Sequence, residues 1–78
     1  MNGDQARMAR AALKLGVRDV AALAKVSPNT VTRVEAGLAV NNSTMEAIRR
    51  ALEAAGVIFV EENGDGPGVR LRKKGKRK

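Results

Sequence analysis

The side chains of this 78-residue chain that could do chemistry fall in two places. The first is the run Ser27-Pro28-Asn29-Thr30-Val31-Thr32-Arg33, which sets hydroxyls, one carboxamide and one guanidinium close together. Such groups hydrogen-bond well but include no nucleophile beside a general base. The chain has no Cys and no His. It therefore lacks a disulfide framework, a thiolate metal site, and the commonest general base and metal ligand. With no Tyr, no Trp and one Phe, stacking of bases on aromatic platforms is also nearly excluded. No paired carboxylates stand out, so neither catalysis nor a metal or other cofactor is expected. The glycine-rich stretch at residues 63–68 (NGDGPG) lacks the Lys that a phosphate-cradling loop places at a helix start, and it reads as a turn.

The second place is the carboxy-terminal end. Residues 1–68 carry 8 Lys/Arg against 8 Asp/Glu, whereas residues 69–78 carry 7 basic residues and no acid. The whole formal charge of +7 thus sits on the last ten residues. A basic arm on a neutral body suits phosphate, although a solvated tail that aids solubility has the same composition.

Positioning the polar run requires helices. Residues 17–35 (VRDVAALAKVSPNTVTRVE) read as two short helices joined by a tight turn, the first over Val17–Ala24 and the second over about 28–36. Ser27 is a good N-cap, Pro28 suits the first helical position, and Gly37 can take the left-handed conformation that ends a helix. Val20, Ala24, Val26, Val31 and Val34 point inward if the helices cross steeply, with small Ala21 at the crossing. A first helix is predicted over about 4–15, with Asn2, Gly3 and Asp4 at its capped start and an apolar stripe of Met8, Ala11, Ala12 and Leu15. Gly16 is the expected breaker. Arg7 and Lys14 read as solvated charge. A fourth helix is predicted over about 44–55 behind a Ser43–Glu46 capping box, with Met45, Ile48, Ala51, Leu52 and Ala55 inward. Leu38 and Val40 are expected to tuck into the core. Strands are predicted at 57–61 and 69–72 around the glycine-rich turn. Such a hairpin is marginal alone and should pack on the helices, on a second copy, or on both.

The run from Ser27 to Gly37 (SPNTVTRVEAG), with Ala21, Val31 and Val34, resembles the Cro/cI-type (XRE-like) helix-turn-helix regulators. The later runs AIRRALEAAGV and ENGDGPGVRLRK resemble a small, single-domain bacterial subgroup of that family. The sequence departs from the family pattern at Lys25, where Gly is usual in the turn, and at Val17, where a phosphate-clamping Gln is frequent.

The resemblance implies a mainly α fold: a compact four-helix Cro/cI-like helix-turn-helix domain over residues 1–56, a β-hairpin over 57–72 and a disordered basic tail over 73–78. It implies a cytoplasmic, sequence-specific regulator of transcription that binds double-stranded DNA, expected to be a repressor and to act as a homodimer on two half-sites. The second motif helix would enter the major groove with Ser27, Pro28, Asn29, Thr32 and Arg33 at base edges. Asn29 suits an adenine edge, unless it is only a polar first-turn residue. Arg33 suits a guanine or a phosphate, unless it pairs with Glu35, which resembles a scaffold residue of the family. Phosphate contacts are expected from Arg18, Lys25, Asn41 and Asn42, and from Arg72, Lys73 and Lys74 at the tail. Thr30 belongs with them, although it could instead cap its own helix. Val57, Ile58, Phe59 and Val60 are the expected dimerisation strand. The competing expectation is a protein-interaction module, an antiactivator or antitoxin-like partner, built on the same fold. No apolar run reaches the roughly 20 residues of a membrane span, so no membrane association is expected.

Overall fold

The computed structural model describes residues 1–73. Lys74 and the rest of the expected tail lie outside the described residues. Four helices come first: α1 (Gly3–Ala12), α2 (Val17–Ala24), α3 (Pro28–Glu35) and α4 (Asn42–Ala55). The strands β1 (Val57–Val60) and β2 (Gly68–Leu71) then pair antiparallel, from Val57 opposite Leu71 to Val60 opposite Gly68. The fold is mainly α, as predicted, and each strand is placed within one residue of expectation.

One core joins all of these elements. Ile48, Leu52, Val20, Val31, Val34 and Val57 are its largest fully buried side chains, with Ala6, Ala9, Ala21 and Ala24 between them. Val57 lies in the same cluster as the helices, so the hairpin shares the helical core rather than forming a separate one. Burying a Val or Leu side chain is worth about 1.5–3 kcal/mol. For a core this small, each of these contacts is a large share of the stability.

α1 differs most from expectation. Its buried residues are Gln5, Ala6 and Ala9, while Met8 is 38% exposed and Ala11 faces solvent. The reason is close approach. A Cβ on Gly3 would stand 2.5 Å from the Val34 carbonyl oxygen and 2.9 Å from that of Glu35, so the amino end of α1 abuts the last turn of α3. Only the small-residue face of α1 can lie that near its neighbours. Asn2 caps the helix in a reciprocal box with Gln5, its Oδ1 accepting from Gln5 N at 2.8 Å and Gln5 Oε1 accepting from Asn2 N at 2.9 Å. Gln5 then spends its amide on the hairpin: Nε2 donates to Val60 O at 3.0 Å and to Gly68 O at 3.1 Å, one carbonyl on each strand. Gln5 is 3% exposed and fully used, as a buried carboxamide must be.

Helix ends supply the other corrections. α1 stops at Ala12 because Lys14 takes a left-handed φ of 59°, not because of Gly16. Gly16 instead starts α2, where Asp19 Oδ2 accepts from its amide at 2.8 Å. The cap of α4 is Asn41 rather than Ser43, so the Ser43–Glu46 box does not form. Asn41 Oδ1 accepts from Thr44 N and from Ser43 Oγ, both at 2.9 Å. Of the inward stripe expected on α4, Ile48 and Leu52 are buried and Met45 and Ala51 pack on the core, but Ala55 is exposed. Leu38 is 51% exposed instead of tucked in, whereas Val40 packs on the core.

Candidate nucleic-acid interface

The α2–turn–α3 unit is built almost wholly by local bonds. Lys25 closes α2 in the left-handed conformation at φ 60°, and the Val26 amide reaches back to Ala21 O at 3.0 Å. A side chain in that conformation costs on the order of 1 kcal/mol relative to Gly, and the turn forms all the same. Ser27 then caps α3, its Oγ accepting from Thr30 N at 3.2 Å and lying 2.9 Å from Thr30 Oγ1. Pro28 occupies the first helical position. Inside, Val31 and Val34 are each 1% exposed, and Ala21, at 2%, lets the two helices cross closely.

The outer face of α3 is polar and open. Pro28, Asn29, Thr32 and Arg33 are all exposed on it. Their freedom differs. Thr32 Oγ1 donates to Pro28 O at 3.2 Å, which leaves its methyl and its lone pairs outward. Arg33 Nη2 donates to Ala39 O at 2.9 Å, tying α3 to the loop before α4. Asn29 makes no side-chain hydrogen bond among the described residues, so both ends of its carboxamide remain available. Ser27 and Thr30 are occupied mainly with each other.

The expected phosphate-contact residues separate into two groups. Arg18 and Lys25 are exposed on the helix-turn-helix unit, and Asn42 is exposed at the first residue of α4. Asn41 keeps only its NH2 group, because its oxygen serves the cap. Arg72 and Lys73 lie elsewhere: the Arg72 guanidinium donates to the Glu53 carbonyl near the far end of α4. At 1.5 Å per residue, Asn42 and Glu53 are separated by about 16 Å along that helix. Among the expected dimerisation residues, Val57 is buried, Phe59 and Val60 are half-buried and Ile58 is 45% exposed.

The scaffold role expected of Glu35 has a partner that the sequence does not single out, Arg10. Arg10 grips Glu35 with both arms, Nε to Oε2 at 2.7 Å and Nη2 to Oε1 at 2.9 Å, and its Nη1 also reaches Leu15 O at 3.3 Å. Glu35 is therefore a scaffold residue, and its partner is Arg10 rather than Arg33. The hydrogen bond to Glu35 raises the Arg10 guanidinium above its ordinary pKa, burial opposes the rise, and the carboxylate charge adds to it. With a raised folded pKa, this contribution is complete below the ordinary arginine range and fades only above it. Titration of Arg10 therefore leaves the pair intact at any ordinary working pH. A signal did exist in the sequence: Glu35 falls one and four residues after Val34 and Val31, on the buried stripe, where a carboxylate needs a cation.

Two short helices crossing at Ala21, the second capped by Ser27 and offering a polar outer face, form a helix-turn-helix. A model of the helix-turn-helix domain family matches residues 3–59, from α1 into β1, and the chain belongs to that family. No curated protein matches the chain. The family is a DNA-binding one, which makes the outer face of α3 the candidate interface. No helix among the described residues is long and apolar enough to cross a membrane.

Proposed function

We propose that the protein is a sequence-specific regulator of transcription of the Cro/cI (XRE-like) kind, a cytoplasmic repressor that binds double-stranded DNA as a homodimer. The observation that carries this reading is the outer face of α3, where Asn29 is exposed and uncommitted beside Thr32 and Arg33. In the major groove a carboxamide can bond an adenine edge through two hydrogen bonds, and a guanidinium can reach a guanine or a phosphate. Arg18, Lys25 and Asn42 flank this face as phosphate contacts, which set register without reading sequence. Arg72, Lys73 and the basic residues that follow add affinity that depends on salt rather than on sequence. One reading helix spans few base pairs, so two copies joined through the hairpin supply the second half-site.

The test is fluorescence anisotropy with DNA from upstream of the protein's own gene against scrambled DNA, at two salt concentrations. The upstream DNA is expected to bind at least about 100-fold tighter, roughly 2.7 kcal/mol, at both salts. Replacing Asn29 and Arg33 together by Ala should abolish most of that preference. Equal binding to both DNAs that fades steeply with salt would leave only the basic tail speaking. A second reading, a protein-interaction module on the same fold, draws on Leu23 and Leu38, which stand 54% and 51% exposed. A partner bound there would be indifferent to the Asn29 and Arg33 changes.

A further inference from the structure

The two-stranded sheet has an outer edge on each strand. The Arg72 amide donates to Gly56 O at 2.7 Å. With the observed register, Ile58–Arg70 and Val60–Gly68 are then the hydrogen-bonded pairs, and the main-chain groups of Val57, Phe59, Val69 and Leu71 point away from the hairpin. Among the described residues no other main-chain group takes up the amides of Val69 and Leu71. Leu71 shares its face of the sheet with its cross-strand partner Val57, yet it is 56% exposed where Val57 is 1% exposed. The outer part of β2 is thus both unpaired and apolar, a combination that proteins usually cover.

Charge decides what covers it. β2 is preceded by Glu61, Glu62 and Asp65 and carries or is followed by Arg70, Arg72 and Lys73. It is an acid-to-base strand, complementary to itself when two copies run antiparallel. β1 has no such polarity. Residues 57–62 include no cation, and an antiparallel copy of β1 would bring Glu61 and Glu62 toward the carboxy end of α4, the negative end of a helix.

We propose that a second copy of this chain docks along the outer edge of β2, antiparallel, with Val69 opposite Val69 of the copy. This rests on the dimeric reading above and moves the joining edge from β1 to β2. The register follows from excluding the alternatives. Centring on Arg70 would set two guanidiniums face to face, and centring on Leu71 would set Arg70 against Arg72, both unfavourable. Centring on Val69 sets Arg70 opposite Gly68 and Leu71 opposite Pro67, and it brings Lys73 toward the acidic turn that holds Asp65 ahead of the copy's β2. Leu71 is then covered by a proline ring, and each Lys73 faces that acidic turn. The two Val69 residues exchange a pair of main-chain bonds, and each Leu71 amide reaches the opposing Pro67 carbonyl. Pro67 has no N–H to return, so the ladder is short and does not propagate into a longer sheet.

The test is the dimerisation constant of the full chain by sedimentation, with circular dichroism to confirm that each variant keeps its helices. Asp65→Lys and Lys73→Glu should each weaken the dimer on the order of tenfold, since each alters two symmetry-related pairs. The double reversal should restore it. Because the chain has no cysteine, Val69→Cys should also yield a disulfide-linked dimer on mild oxidation. Single reversals without effect, or losses that the double reversal does not repair, would overturn the pairing. A cross-link through Phe59→Cys in place of Val69→Cys would return the interface to β1. A wild-type chain that stays monomeric at high micromolar concentration would remove the dimeric reading itself.

Discussion

The helix-turn-helix unit and the hairpin are held in opposite ways. In the former, the Gly16–Asp19 bond, the Ser27–Thr30 cap and the Lys25 turn all join residues no more than five apart along the chain. The hairpin is tied to the helices by Gln5, from 55 and 63 positions away. α1 serves both regions, with Gln5 on the strands and Arg10 on α3. The reading helix is thus made locally but oriented remotely.

Replacing Gln5 by Ala should be the most damaging way to break this arrangement. It removes the cap partner and both strand bonds from a buried site, and a loss of about 3 kcal/mol in urea unfolding is expected. Hydrogen exchange should rise more for the hairpin amides than for those of α2 and α3. A uniform rise would mean that the two regions are not separately held. Glu35→Gln should cost about 2 kcal/mol, because it leaves the Arg10 guanidinium partly buried without its counter-charge. Here the DNA preference should fall more than the loss of folded protein explains, since α3 would lose its orientation while keeping its own caps. The smallest effect sharpens the local side of the comparison. Lys25→Gly relieves a left-handed side chain and should stabilise the protein by roughly 0.5–1 kcal/mol, read as a rise in the urea midpoint.

The same distinction explains what the sequence made legible. α2, the Ser27 cap, the inward Val31 and Val34, and the open positions of Asn29, Thr32 and Arg33 all follow from neighbours a few residues away. The inner face of α1 does not. Its sequence, GDQARMARAA, has alanine on every side, so periodicity cannot choose among faces. The choice is made by the last turn of α3 against Gly3 and by the hairpin against Gln5. The start of α4 departs from expectation for a related reason: Asn41, Asn42, Ser43 and Thr44 can all cap, and only the path of the preceding loop selects Asn41. Left-handed lysines at 14 and 25 were readable only in part. Glycine is the usual mark of such a turn, and at Lys25 only the strength of the flanking pattern indicated one.

The abutment of Gly3 against Val34 and Glu35 has a practical consequence. The amino end of the folded domain is not a remote handle but a neighbour of the last turn of α3. A fluorophore or fusion partner attached ahead of Gly3 would sit beside the reading helix, able to report on its occupancy and equally able to obstruct it. Labels meant to be silent belong instead on α4 at Arg50, whose side chain is 77% exposed.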